Sequence, residues 1–267
     1  MNKVFAQALE DVEAQAYADF WRAASAQEGY SATQVHQVAG ATVGVMPGIV
    51  DPYPMWELIF NSVIGLGIAQ PATLADVDRI IEHYRRASVH FSVRLSTQAQ
   101  PAEVREWLEH RGLRVALNLY KCVRNTEPPP QMPTDLRIEE IDERQSSVYA
   151  ALAAPIEFLR SPVGALVGRR GWRHYLAFDG EQAVACGSLF VSDSWGWLGF
   201  AFTRDSHRHR GAQSALIARR IMDAAAMNCR YVTAETAAEA AGEHNSSYHN
   251  MLRAGFALAD ERPVYVL

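Results

Sequence analysis

A short run of arginine, histidine and glycine in the second half of the chain has the composition of an anion-binding loop. Residues 207–213 read HRHRGAQ and stand between a predicted strand and a long predicted helix. The first turn of a helix has unpaired N–H groups and a partial positive charge, and Gly211 allows the backbone to approach an anion closely. Arg208 and Arg210 add guanidinium groups, which pair well with phosphate oxygens. The run predicts a pyrophosphate site, and an ordinary basic helix start is the alternative.

The elements around this loop have the order of a mixed α/β domain. From Asp135 onward the pattern predicts a strand, a helix interrupted by Pro155, a three-strand meander, a helix, a strand, a helix and a strand. The turn Asp179-Gly180 marks a hairpin inside the meander. A helix that joins the meander to the next strand is typical of a crossover to a parallel strand. The predicted elements after the meander are 212–226, 230–235, 245–254 and 256–267.

A proline-rich stretch divides the chain in two. Residues 125–133 read NTEPPPQMP, which extends neither a helix nor a central strand, so we predict a linker at 126–133 between domains at 1–125 and 134–267. Residues 73–123 repeat the order helix, strand, helix, strand found near the C-terminus, which we interpret as a weak internal repeat. Near Gly65-Leu66-Gly67, no Arg or Gln precedes either glycine by three residues. The first domain is therefore predicted to be a degenerate copy.

Composition excludes several classes of protein. The 267 residues carry a formal net charge of -5, with a pI near 6.0, which argues against nucleic acid as a partner. No signal peptide and no apolar run long enough to cross a membrane is visible, so we expect a cytoplasmic protein without a membrane partner. Cys122, Cys186 and Cys229 have the spacing of neither a disulfide framework nor a zinc site. His207 and His209 lack a nearby third ligand, so no metal is predicted.

The loop and its surroundings resemble the GNAT superfamily of CoA-dependent N-acetyltransferases. That family has an Arg/Gln-x-x-Gly-x-Gly/Ala loop after its fourth strand; Arg208 and Gly211 match it, and Gln213 replaces the third small residue. Asn245 opens a helix that ends in residues 254–256, Ala-Gly-Phe, similar to the Gly-Phe ending of the family. The order of elements agrees over nearly all of 134–267. The resemblance implies an α/β fold of two GNAT-like mixed-sheet domains in tandem.

The resemblance also implies a donor site for acetyl-CoA. Backbone groups of Phe202 and Thr203 would bind the pantetheine arm, and Asn245 would lie near the pantetheine or the acceptor. The pyrophosphate would be held by Arg208, His209, Arg210, Gly211, Ala212 and Gln213.

The chain departs from the family pattern at a position that would supply a catalytic residue. Many members have a tyrosine four residues before the closing glycine, where this chain has Met251. Tyr248, about one turn earlier, is the candidate general acid. Attack by an amine needs a carboxylate or an imidazole to remove a proton. We rank Glu235 first as this base, and the alternatives are Glu239, His244 and His249.

The expected function is transfer of an acetyl group from acetyl-CoA to an amine of a small molecule, by direct attack. Gln213 and Met251 keep a second hypothesis open, a module that binds acyl-CoA or regulates a partner without turnover. Aminoacyl transfer is a third hypothesis, which the loop and the acidic charge disfavour. The sequence is compatible with a monomer or a homodimer.

Overall fold

The computed structural model describes residues 2–49, 54–240 and 242–267, which belong to two compact units. The first unit is Met1–Tyr120 with Asp260–Leu267, and the second is Lys121–Ala259. This division differs from the predicted boundary at 126–133. Both divisions fall inside strands, Arg114–Asn125 and Ala257–Val266, and not in the proline-rich stretch.

The first unit has a mixed sheet flanked by helices. β2 pairs antiparallel with β1 and β3, β3 pairs parallel with β4, and β4 pairs antiparallel with the end of β11. Thr73 caps α3, and it forms a capping box with Asp76. The elements are α1 (Lys3–Ser25), β1 (Gln34–Val38), β2 (Ala41–Val45), α2 (Pro54–Phe60), β3 (Ser62–Ile64), α3 (Leu74–Ala87), β4 (Ser92–Arg94), α4 (Val104–His110) and β5 (Arg114–Asn125), which continues into the second unit.

A buried ionic network joins α1 to the last strand. Arg262 donates to Glu10 and to Glu13 at 2.9 Å, and Arg94 donates to Glu13 at 3.0 Å. All four side chains are at most 5% exposed. α1 was not predicted from the sequence. Among the described residues, no helix, α1 included, is long and apolar enough to cross a membrane.

The second unit has the predicted order of elements. α5 ends at Ala153, just before Pro155, which confirms the predicted interruption. All three cysteines are buried free thiols. The elements are β6 (Arg137–Glu140), α5 (Ser146–Ala153), α6 (Arg160–Gly164), β7 (Trp172–Asp179), β8 (Gln182–Ser192), β9 (Trp195–Thr203), α7 (Ala212–Ala226), β10 (Tyr231–Ala237), α8 (Ser246–Arg253) and β11 (Ala257–Val266).

The sheet of the second unit places the ends of β9 and β10 beside the start of α7. β6, β7, β8 and β9 form antiparallel neighbours, and β10 pairs parallel with β9. The crossover between β9 and β10 is α7, which packs its apolar face on β8 and β9. The loop of residues 204–211 connects the end of β9 to the first turn of α7.

Candidate functional site

β9 and β10 separate halfway along their lengths. Their parallel pairing runs from Trp195 opposite Tyr231 to Leu198 opposite Ala234. β9 nevertheless continues to Thr203 and remains paired with β8 there, while β10 continues to Ala237. We call the gap between residues 199–203 and 235–237 the notch. A strand edge without a neighbouring strand offers its backbone N–H and C=O groups to a ligand.

A β-bulge lies where the notch begins. Ser188 pairs with Gly199 and Cys186 with Phe202, so β9 has one more residue than β8 in this interval. Phe200 has a φ of 46°, in the left-handed region that side chains rarely adopt. A Cβ atom on Gly199 would lie 1.9 Å from the ring of Trp197, so this position requires glycine. Such strain is typical of positions where a strand turns its backbone groups toward a ligand.

Gly211 shapes the loop that follows β9. It has a φ of 79° and is the N-cap residue of α7. A Cβ atom there would lie 2.5 Å from the carbonyl oxygen of Pro133, and Thr134 Oγ1 donates to the Arg210 carbonyl at 2.8 Å. The proline-rich segment therefore packs directly against the loop. Because glycine has no capping side chain, the first-turn N–H groups of α7 remain available to an anion.

The two arginine side chains of the loop differ in the number of ion pairs that hold them. Arg210 forms ion pairs with Asp135 and Asp179, and its hydrogen bonds hold the pKa of both carboxyl groups below their usual values. Arg208 pairs with Asp205 at 2.9 Å on the surface, and its side chain is 62% exposed. Arg208 can therefore turn toward a bound phosphate without breaking a buried contact. His209 is exposed and, like Gly211, has a positive φ.

Gln213 connects α7 to the end of β9. Its Nε2 donates to the Phe202 carbonyl at 2.8 Å, to Thr203 Oγ1 at 3.0 Å and to the Cys186 carbonyl at 3.3 Å. A phosphate would have to compete with these bonds for the Gln213 amide. The Phe202 carbonyl already accepts one of these bonds. Gln213 thus ties the loop to β9, at a position where the family pattern has a small residue.

The backbone of Thr203 faces the notch. The next residue, Arg204, donates its N–H to the Val184 carbonyl at 2.9 Å and so faces β8. Backbone groups of successive residues in a strand point to opposite edges, so those of Thr203 point away from β8. Of the two predicted pantetheine-binding residues, Thr203 therefore has the more accessible backbone, while Phe202 offers a 43% exposed ring.

Glu235 lies at the apex of the notch. It directly follows Ala234, the last residue of β10 that pairs with β9, and its Oε2 atom is buried. Asn245 caps α8 by accepting from the N–H groups of Ser247 and Tyr248, and it donates to the Ala237 carbonyl at 2.6 Å. Asn245 thus fixes the start of α8 to the end of β10.

The position of Met251 agrees with its apolar chemistry. Its side chain is 4% exposed and packs in the core of the second unit. Tyr248 is half-buried near the start of α8, with its ring 5.8 Å from that of His249. Tyr248 and Met251 are therefore on the same short helix, α8. Tyr248 lies about one turn nearer the start of that helix.

The three alternative bases form one cluster. Glu239 Oε1 lies 3.0 Å from His249 Nε2 and 3.9 Å from His244 Nδ1. Glu239 also accepts from the N–H of Asn245 at 2.9 Å, and this bond and the His249 bond lower its pKa. The sequence named these residues as separate alternatives and did not predict that their side chains meet, because a spacing of five residues places side chains together only where the chain turns between them.

A second polar group, which was not predicted from the sequence, lies behind the bulge. The hydroxyl of Ser188 contacts Tyr149 Oη and lies 2.9 Å from His174 Nδ1, and all three side chains are almost fully buried. Burial lowers the pKa of His174 to about 4, so its imidazole is neutral at pH 7. Trp172 stacks on His174 and also contacts Phe200, which connects this group to the bulge.

Comparison with known proteins identifies the fold. No family model and no curated protein sequence matches the chain, whereas many solved structures do. A GCN5-related N-acetyltransferase from Kribbella flavida has a TM-score of 0.62 at 15% identity, over 92% of this chain and 94% of that chain. A GCN5-related N-acetyltransferase from Sphaerobacter thermophilus has a TM-score of 0.59 at 15% identity, over 85% and 80%.

A tandem GNAT protein from the clavulanic acid biosynthesis pathway has a similar degree of likeness. It has a TM-score of 0.59 at 12% identity, over 93% of this chain and 87% of that chain. At these identities the likeness concerns the fold alone. The chain has the mixed-sheet α/β fold of GNAT acetyltransferases.

Proposed function

We propose that the protein transfers an acetyl group from acetyl-CoA to an amine of a small molecule. The observation that carries the proposal is the notch, with a strained bulge at its inner end and the glycine-capped start of α7 at its outer end. An extended donor with a thioester at one end and a pyrophosphate at the other matches these two features. The shared fold with proteins named as N-acetyltransferases supports the same activity.

In this proposal the donor lies along the open edge of β9. The first-turn N–H groups of α7 and the backbone of Gly211 and Ala212 bind the pyrophosphate, and Arg208 turns onto it from the surface. The backbone of Thr203 then pairs with the amides of the pantetheine arm, in the manner of a strand added to a sheet edge. Gln213 holds the end of β9 in place through its hydrogen bonds. Asn245 fixes the end of β10, on the other side of the notch.

The chemical step is direct attack by a neutral amine on the thioester carbonyl. A bond forms between nitrogen and the carbonyl carbon, and the developing oxyanion accepts from backbone N–H groups near the bulge at Phe200. Glu235 takes the proton that the amine loses, directly or through water. The carbon–sulfur bond then breaks, and Tyr248 donates a proton to the departing CoA thiolate. Positioning of the two substrates supplies much of the rate.

A non-catalytic acyl-CoA-binding or regulatory module is the second candidate. The observation that favours it is Met251, which is buried and apolar where many family members have a phenol. Under this proposal the notch binds the donor, and no amine is acetylated.

Thermal melting with ligands is the first test of the donor site. A ligand at about 100 times its dissociation constant adds about 2.7 kcal/mol of stability, which raises the melting temperature by several degrees. We expect acetyl-CoA, propionyl-CoA and CoA to raise it and NAD to leave it unchanged. A melting temperature that no CoA species alters would refute the donor site. If the donor binds, release of CoA thiol in the presence of a panel of amines distinguishes the enzyme from the binding module.

A further inference from the structure

The cluster of Glu239, His244 and His249 has the donor set of a metal site. We propose that these three side chains bind a divalent transition-metal ion of the zinc class. The ligating atoms of all three lie within 4.8 Å of one another. Two imidazole nitrogens and one carboxylate oxygen are a common set of protein ligands for Zn²⁺, with the fourth position taken by water.

The separations between the ligand atoms fit a tetrahedral ion. With metal–ligand bonds of about 2.0–2.2 Å, two ligands of one tetrahedral ion lie about 3.4 Å apart. Glu239 Oε1 and His249 Nε2 are 3.0 Å apart, and Glu239 Oε1 and His244 Nδ1 are 3.9 Å apart. These two distances lie on either side of the tetrahedral value. Small rotations of side chains are enough to place an ion among the three atoms.

His244 is the residue that must move. Its ring stacks on that of His249 at 4.2 Å with an interplanar angle of 27°, so the two ring planes do not yet converge on one point. The side chain of His244 is 68% exposed, whereas those of His249 and Glu239 are 35% and 25% exposed. His244 can therefore rotate into the coordination plane without disturbing the core, while the two less exposed ligands supply a fixed base.

Bound metal would cross-link the connection between β10 and α8. Glu239 lies just after the end of β10, and His249 is on α8. Glu239 also accepts from the N–H of Asn245, a bond that orients the carboxylate from outside the ligand set. The ion would thus join three points of a segment that begins and ends beside the notch, and we expect it to stabilise this segment.

Titration of the metal-free full chain with Co²⁺, followed by competition with Zn²⁺, tests the proposal. We expect one equivalent of Co²⁺ to bind, with visible absorption bands of a four-coordinate ion that Zn²⁺ then abolishes. Glu239→Gln, His244→Asn and His249→Asn should each weaken binding by ~10-fold or more, because loss of a ligand costs at least as much as loss of an outer partner. Circular dichroism checks that each variant is folded.

The matched control is the other close histidine pair of the second unit, His207 and His209. His207→Asn and His209→Asn should bind Co²⁺ as the parent chain does. The proposal is overturned if no ion binds at millimolar concentration, if the three cluster variants bind normally, or if the control variants lose binding. The titration is done without any acyl-CoA, so its outcome is independent of the proposed acetyltransferase activity.

Discussion

In the loop of residues 207–213, the Arg208 guanidinium pairs with a single carboxylate. Its partner Asp205 is exposed, whereas Arg210 is held by two carboxylates. We expect Arg208→Ala to weaken acetyl-CoA binding about ten-fold or more, since a hydrogen bond to a charged group contributes about 1.5–3 kcal/mol. Isothermal titration calorimetry measures the change. Arg144→Ala, which removes a similar exposed pair with Asp142, should bind acetyl-CoA normally; equal affinities for both variants would contradict the assignment.

A substitution of Glu235 tests the chemical step separately from the binding of acetyl-CoA. If it takes the proton of the amine, Glu235→Gln should reduce turnover by about 10²-fold or more, because general-base catalysis contributes about 10²–10⁴-fold. The affinity for acetyl-CoA should not change. Glu243→Gln, at an exposed position near α8, is the control and should be fully active. A normal rate for Glu235→Gln over the whole pH range would exclude Glu235 as the base.

His174 should make stability depend on pH. Its pKa is about 4 in the folded chain because burial disfavours the charged ring, and about 6.5 in the unfolded chain. The unfolded chain therefore binds a proton between these values that the folded chain does not. The free energy of unfolding therefore has its full value above about pH 6.5. Protonation of His174 in the unfolded chain lowers it by up to about 3 kcal/mol as the pH decreases to 4.

Urea unfolding at several pH values measures this effect. His174→Asn should flatten the dependence between pH 6.5 and 4, whatever its effect on stability at pH 7. His209→Asn, at an exposed position, should retain the slope of the parent chain. An unchanged slope in His174→Asn would show that other groups cause the dependence.

At the scale of elements, the junction of β9, the loop and α7 depends on Gly211. Alanine there would adopt an unfavourable positive φ and would also approach the Pro133 carbonyl to 2.5 Å. Gly180, in the hairpin between β7 and β8, has a φ of 57° with nothing within 4 Å of an added Cβ. Gly180→Ala should therefore cost about 1–2 kcal/mol, the left-handed penalty alone. Gly211→Ala should cost more and should also weaken acetyl-CoA binding.

Urea unfolding of the two glycine variants provides the comparison. If Gly211→Ala is no less stable than Gly180→Ala, the loop moves away from Pro133 easily. The proline-rich segment would then not be what holds the loop in place.

Local signals in the sequence explain why the elements of the second unit could be predicted. Turn residues at Asp179-Gly180, a proline at position 155 and a glycine after α8 mark boundaries that neighbouring residues alone determine. The bulge at Phe200 and the bonds of Gln213 depend on which strand lies alongside, so no local pattern reveals them. α1 was missed because two of its buried residues, Glu10 and Glu13, are charged, which obscures the apolar stripe.

At the scale of the whole molecule, the network around Arg262 should be important for stability. Arg262→Met would leave Glu10 and Glu13 with fewer partners inside the first unit, and loss of one member of a buried ion pair costs about 3–5 kcal/mol. Arg85→Met removes an exposed pair with Glu82, which solvent screens, and should change the free energy of unfolding far less than Arg262→Met. Guanidinium unfolding measures both. Similar small losses would indicate that water or the remaining Arg94 compensates Glu13.

The membership of Asp260–Leu267 in the first unit has a consequence for biosynthesis. A ribosome makes residues 1–120 first, yet the strand that pairs with β4 and the arginine that pairs with Glu10 and Glu13 emerge only after the entire second unit. While the second unit is translated, the first unit therefore lacks its last strand. Glu10 and Glu13 lack the pairing with Arg262 during that time. Nascent chains should reach their final protease resistance in the order second unit, then first, the reverse of the order in which they are encoded.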